Sequence, residues 1–245
     1  GGFQRLGINE IPWQVDVAYF PSDEWNGTGE SVDSSRYSYD IVKTDTTHNT
    51  ERHQVNLRAA YTLDHAGAGT TRLGVSGQYG RVRNVELGRG APRMAGAVHM
   101  KGDYGPWGVK LEAIAYDVDP LDTAGTQSPA MTMGAYDYAY EVAAEGQLYS
   151  AAFSYRIDGP AFLYLEGVKF YNDFSVLDKN ASDYNTSLHN VTGSELDFEG
   201  PLLAYLDFAL GRNNAWIGPD FGTALAGGDD DDWNYRLNLN LGVYF

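Results

Sequence analysis

Trp233-Asn234-Tyr235-Arg236-Leu237-Asn238-Leu239-Asn240-Leu241-Gly242-Val243-Tyr244-Phe245 is the stretch whose reading decides the fold. Tyr235, Leu237, Leu239, Leu241, Val243 and Phe245 alternate without a break with Asn234, Arg236, Asn238, Asn240, Gly242 and Tyr244. Side chains of a strand point to opposite faces in turn, so this is a strand with one apolar and one polar face. The same period of two recurs upstream in Val55, Leu57, Ala59, Tyr61 and Leu63, set against Gln54, Asn56, Arg58, Ala60 and Thr62. Further runs are Leu73/Val75/Gly77/Tyr79, Met94/Gly96/Val98/Met100, Trp107/Val109/Leu111/Ala113/Ala115, Tyr149/Ala151/Phe153/Tyr155 and Leu202/Ala204/Leu206/Phe208/Leu210. Each is about ten residues long, enough to cross a bilayer when tilted.

Composition narrows the alternatives. The 245 residues contain no cysteine, which excludes disulfides and thiolate metal sites, and a net charge of −16 argues against nucleic acid as a partner. No run approaches the roughly 18 uninterrupted apolar residues of a spanning helix. The 18 Tyr, 10 Phe, 5 Trp and 29 Gly suit many short strands joined by turns. The opening Gly1-Gly2-Phe3-Gln4 lacks the basic and apolar regions of a signal peptide, so any targeting segment is expected to lie outside this sequence.

The connections alternate in length. Short turns are expected at Asp64–Gly69, Asp103–Pro106, Asp158–Pro160 and Glu199–Pro201, and long polar segments at 21–50, 84–92, 118–144, 174–188 and 213–232. Short periplasmic turns and long external loops are the outer-membrane arrangement. The sequence therefore predicts an all-β, antiparallel transmembrane β-barrel with ten strands at 12–20, 51–63, 70–83, 93–104, 107–117, 145–157, 161–173, 189–198, 201–212 and 233–245. A further hairpin near Tyr37–Thr44 would make twelve. The strands 161–173 and 189–198 break the alternation, with Glu195 and Asp197 where apolar residues are expected. The whole of 1–245 reads as one domain in the bacterial outer membrane, with outer-membrane lipid and lipopolysaccharide as surroundings.

Met133-Gly134-Ala135-Tyr136-Asp137-Tyr138-Ala139-Tyr140-Glu141-Val142-Ala143-Ala144-Glu145-Gly146, Phe170–Ser175, Gly200-Pro201-Leu202 and Gly211–Asn214 resemble the C-terminal part of porins related to the phosphate-selective porin O/P group. Leu241–Phe245, above all Tyr244 and Phe245, resembles the signal read by the barrel-assembly machinery. The resemblance covers about residues 35–245. It implies a Gram-negative general-diffusion or weakly selective porin for small solutes, commonly a homotrimer, with a loop folded into the pore. Members of that group have sixteen strands. This chain is accordingly expected to be either a smaller relative or a barrel whose first strands lie outside the sequence, the latter because residues 1–11 read like the middle of a barrel.

With the apolar parity facing lipid, the inward set includes Asp16, Arg58, Arg72, His99, Lys101, Asp103, Lys110, Glu112, Arg156, Asp207 and Arg236, in which basic residues outnumber acidic ones. The passage is expected to favour anions, or else these arginines pair across the barrel and hold it rigid. Segment 118–144 is too long to be a plain connection. Its Tyr136, Asp137, Tyr138, Tyr140 and Glu141 are expected to constrict the lumen, Asp137 and Glu141 facing the basic wall; the alternative is an external loop or an extra strand. Trp13, Trp107 and Trp233 suit aromatic girdles at strand ends. The run Asp229, Asp230, Asp231 and Asp232 has the donors for a divalent cation but is more commonly a solvated loop tip. No metal or other cofactor is otherwise implied. None of His48, His53, His65, His99 or His189 lies in a catalytic motif, and the sequence is expected not to be an enzyme. An outer-membrane barrel serving as scaffold, adhesin or hydrolase is the alternative function.

Overall fold

The computed structural model describes residues 2–6, 12–22, 40–43, 47–135, 138–159 and 164–243, and every regular element among them is a β-strand. In chain order these are β1 (Gly2–Leu6), β2 (Trp13–Ser22), β3 (Asp40–Ile41), β4 (Asn49–Asp64), β5 (Thr70–Asn84), β6 (Arg89–Tyr104), β7 (Trp107–Val118), β8 (Ala130–Ala135), β9 (Tyr138–Ala143), β10 (Glu145–Asp158), β11 (Leu165–Lys179), β12 (Ser187–Phe198), β13 (Leu202–Arg212) and β14 (Asn234–Val243). Eleven form one antiparallel meander, β1-β2-β4-β5-β6-β7-β10-β11-β12-β13-β14. β3, β8 and β9 form a small second sheet. Among the described residues β1 and β14 are not paired with each other, so the large sheet is open.

Register carries one polar face across the sheet. Asp16 lies opposite Arg58, Arg58 opposite Ser76, His99 opposite Gly74 and Glu112, and Glu112 opposite Ser150. The same face continues through Ser175, Lys169, Glu195, Asp207 and Asn238. The other face is apolar and exposed: Tyr79 is 58% accessible, Val98 57%, Phe153 54% and Leu237 68%. A soluble sheet normally buries that face. Aromatic pairs mark the short-turn end of the apolar band, Trp13 with Tyr61 (ring centroids 4.7 Å apart) and Trp107 with Tyr155 (4.5 Å). Tyr19 with His53 and Phe208 with Tyr235 mark the other end.

The ten expected strands of the main sheet are present, but several run further. β5 and β6 extend until only Val85–Gly88 joins them, so the long connection expected at 84–92 is a tight turn. β11 continues to Lys179 through part of the expected 174–188 loop. These extensions carry outward-facing charge, including Arg81, Arg83 and Asp178, and leave the apolar band behind. Of the hairpin expected near Tyr37–Thr44 the described part contains the two-residue β3, paired with β8; Tyr37 to Tyr39 and Thr44 lie outside the described residues.

Two departures from alternation have physical causes. His53 takes φ 49° at a bulge between Arg52 and Val55, which moves Glu51 onto the polar face although Val55 and Leu57 point away from it. In β12 the outer positions Asn190 and Thr192 are also polar and bond to Asn172 of β11 (3.1 and 2.7 Å), so no apolar parity survives to be read. Glu195 and Asp197 therefore belong to the polar face. The compact apolar core sits on the polar side at the long-connection end, where Ile41, Val82, Val118 and Met131 bury one another with Tyr116, Met133 and Val142 around them.

Candidate functional site

The polar face is concave. A cavity of about 480 Å³ is lined by Lys101, Asp103, Lys110, Lys169, Tyr171 and Glu195 among others, drawing on strands from β6 to β13. A second of about 580 Å³ adds Arg58, His99 and Glu112 and shares Lys101, Lys110 and Asp173 with the first. A third, about 630 Å³, continues past Arg58 and Ser76 to Asp16 of β2. Together they trace a groove along the inner side of the sheet.

Alternation on each strand brings the residues expected inside to this one face, and neighbouring strands connect them. Arg58 donates from Nε and Nη2 to His99 Nε2 at 3.3 and 3.1 Å. To reach it the His99 ring crosses β5 over Gly74, where a Cβ would stand 2.6 Å from Cε1 and nearer still to Nε2, so this position of the ring needs a glycine there. Arg72 donates to Gln14, and Lys101 pairs with Asp103 at 2.8 Å. Arg156 spans Asp158 (2.7 Å) and Asp197 (2.8 Å), Lys169 pairs with Glu195, and Tyr171 donates to Asp207. Arg236 reaches the carbonyl of Trp216 at 3.1 Å. Lys110 is exposed and makes no ion pair among the described residues.

The basic surplus read from the sequence is smaller in space. Glu51, Asp173, Glu195 and Asp197 join the face, and Glu51 pairs with Arg93 where both side chains are largely buried. The His53 bulge concealed Glu51, and the missing apolar parity of β12 concealed Glu195 and Asp197. Arg58, Lys101 and Lys110 converge on one stretch of the face, where Lys101 is paired with Asp103, while β10 to β12 are cross-paired.

The long connections fold back over the groove. After Val118 the chain crosses to β4 and β5, where the Leu121 carbonyl accepts from Asn49 Nδ2 (2.9 Å) and Asn84 Nδ2 (3.2 Å), and Leu121 N donates to Asn49 Oδ1 (3.2 Å). The β8–β9 hairpin then packs on Ile41, Val82 and Val118. Segment 213–233 closes against it: Glu141 N and Ala143 N donate to the carbonyls of Gly222 and Leu225, and Tyr140 meets Trp216 edge-on at 5.9 Å. Lys179 Nζ holds this segment from below through the carbonyls of Ala224 (2.8 Å) and Ala226 (2.9 Å). Burial pushes its pKa down to about 8.

Of the expected constriction, Tyr136 and Asp137 lie outside the described residues, as does the side chain of Tyr138. Tyr140 is buried in the cap, 5% accessible. Glu141 is exposed near Tyr184 and makes no ion pair with the basic wall among the described residues. The assembly-signal residues Tyr244 and Phe245 are also outside them. The acidic run is engaged within its loop. Asp231 accepts from Arg212 and Asn213, Asp230 from Asn234, and Asp220 accepts from the amides of Asp229 and Asp230. The Arg212 bond holds the Asp231 carboxyl below its usual range. Among the described residues no group of three or more His, Asp or Glu is arranged to hold a metal. Comparison with known proteins returned no match to a family model, a curated protein or a solved structure.

Proposed function

We propose that the chain forms all or part of a closed transmembrane β-barrel in a bacterial outer membrane, its polar face lining a passage for small hydrophilic solutes with a weak preference for anions. The observation that carries this reading is the inverted sheet: an accessible apolar band ringed by aromatics on one face and a charged, concave groove on the other. A band this extensive exceeds the few hundred Å² that soluble monomers ordinarily expose. Hydrocarbon outside and water inside satisfy both faces at once. From Tyr149 to Ile157, β10 presents an apolar row roughly 26 Å long, the scale of a tilted crossing.

Anion preference rests on Arg58, Lys101 and Lys110, of which Lys110 makes no ion pair among the described residues, set against Glu112 and Asp173 in the same stretch of the groove. Assembly through the barrel machinery by Tyr244 and Phe245, and association as a homotrimer, belong to the same reading. The folded-back connections favour a second one, a barrel plugged at its long-connection end and serving as scaffold or adhesin. Reconstitution into a planar bilayer separates the two. Stepwise conductance with a reversal potential of anionic sign in a KCl gradient supports the channel. Insertion and heat-modifiable migration without conductance support the plug, and failure to insert excludes both.

A further inference from the structure

The outer face of the sheet is apolar until β4 and β5 run past it, and there it becomes basic. Arg52 and Arg81 are direct cross-strand partners, and Arg83 stands two residues beyond Arg81 on the same face. Their neighbours on the inner parity, Glu51 and Val82, are turned towards Arg93 and the apolar core, which fixes the three arginines as outward-facing. Like charges placed directly opposite are destabilising, and among the described residues no carboxylate pairs with them to offset this. Among the described residues Arg52, Arg81 and Arg83 make no ion pair, and Arg52 Nε is buried without a hydrogen-bond partner. Arg81 lies over Gly90 of β6, its Nε 3.7 Å from the position a Cβ would take there, an ordinary contact distance.

Immediately below the arginines are Tyr79 and the stacked pair Tyr19 and His53, with the Tyr19 hydroxyl 2.9 Å from His53 Nδ1. Aromatic side chains on the outer face, followed by guanidinium groups one step further out, match the order of chemistry from hydrocarbon through the interface to phosphate. Further along the sheet the outer face carries Asp117 and Glu145 on the cross-strand row of Tyr79 and Met94, and Asp178 on the row of Gly77, so the basic patch is local to β4 and β5.

We infer that Arg52, Arg81 and Arg83 form a binding site for the phosphorylated headgroup of an outer-leaflet glycolipid of the lipopolysaccharide type. The inference rests on the membrane orientation proposed above. Guanidinium forks bind phosphate oxygens in pairs, and phosphates set between the arginines relieve their mutual repulsion. Acyl chains of the same lipid would then lie along Val55, Tyr79 and Met94, which are exposed directly beneath.

The test uses the full chain folded into phosphatidylcholine vesicles, with diphosphorylated lipid A as probe and its dephosphorylated form as control. Wild type should bind the diphosphorylated lipid about tenfold more tightly than Arg81→Gln/Arg83→Gln, at a few-fold per basic residue near a lipid surface. The dephosphorylated lipid should bind both alike, and millimolar inorganic phosphate should not compete. Should the double variant fail to insert, Arg83→Gln alone, at an exposed position, carries the same comparison. Equal binding by inserted wild type and variant overturns the site while leaving the barrel intact. Competition by inorganic phosphate overturns the lipid assignment, and a wild-type chain that does not insert overturns both site and barrel.

Discussion

Lys179 is the side chain on which the cap over the groove depends most directly. It lies past the outward-facing Asp178, beyond the apolar band, and its ammonium is buried with two carbonyls of segment 213–233. With the cap closed its pKa is about 8, against an ordinary 10.5 when exposed. Between those values the closed form binds fewer protons than the opened one, so closure strengthens as pH rises through the window. Proteolytic cleavage within 213–233, normalised to an unstructured peptide, should therefore slow from pH 8 to pH 10. In Lys179→Met that slowing should vanish, because the side chain carries no ionisable group. A flat profile in the wild type would remove Lys179 from this role. Asp231 works in the opposite sense: its carboxyl is held low by Arg212, so its contribution is present at neutral pH and is lost only as pH falls through that lowered value.

In β14 the two faces can be compared one residue apart. Leu239 points outward and is 65% accessible, whereas Asn238 lies opposite Asp207 on the groove side. If hydrocarbon covers the outer face, Leu239→Arg near the middle of the strand should destabilise the vesicle-inserted chain by about 2–4 kcal/mol in urea titration. Asn238→Arg, in water and beside Asp207, should change stability by no more than ~0.5 kcal/mol. Equal costs would contradict the assignment of faces. β14 was also where the sequence was most legible, since every position obeys the period of two. Elsewhere legibility followed the same rule. Parity placed Arg58, His99, Lys101 and Lys110 on one wall because β4, β6 and β7 alternate regularly in the band. It failed at Glu51, where the His53 bulge adds a residue, and along β12, where Asn190 and Thr192 are polar on the outer side. The cap was not legible either, because the contacts of Leu121 with Asn49 and Asn84 join residues distant in sequence through side chain to backbone bonds that leave no periodic trace. Those bonds yield their own expectation: Asn84, 1% accessible, holds the Leu121 carbonyl and, through Oδ1, the amides of Glu86 and Leu87. Asn84→Ala should expose segment 119–129 to protease at a local cost of about 1–3 kcal/mol, with β4 and β5 otherwise intact.

At the scale of the molecule, conductance on the proposed channel reading depends on how the wall and the cap share the groove. Arg58, Lys101 and Lys110 converge on the wall, and the cap closes over it from the long-connection end through β8, β9 and segment 213–233. These parts make separable contributions. In such a channel, charge at the wall would set which ions pass, because a permeating ion would meet those side chains at close range across little water, while the cap would set how much cross-section stays open. Lys101→Glu/Lys110→Glu should accordingly move the reversal potential in a KCl gradient towards cations with little change in conductance. Removing 125–140 takes away most of β8 and β9 and should raise conductance by about twofold or more while leaving the sign of selectivity unchanged, since Asp137 is the only charged residue removed. If the deletion instead reversed selectivity, charge in the hairpin would be governing permeation, and the narrowest point would lie in the cap. If the lysine pair left the reversal potential unmoved, the current would be passing elsewhere than along the groove.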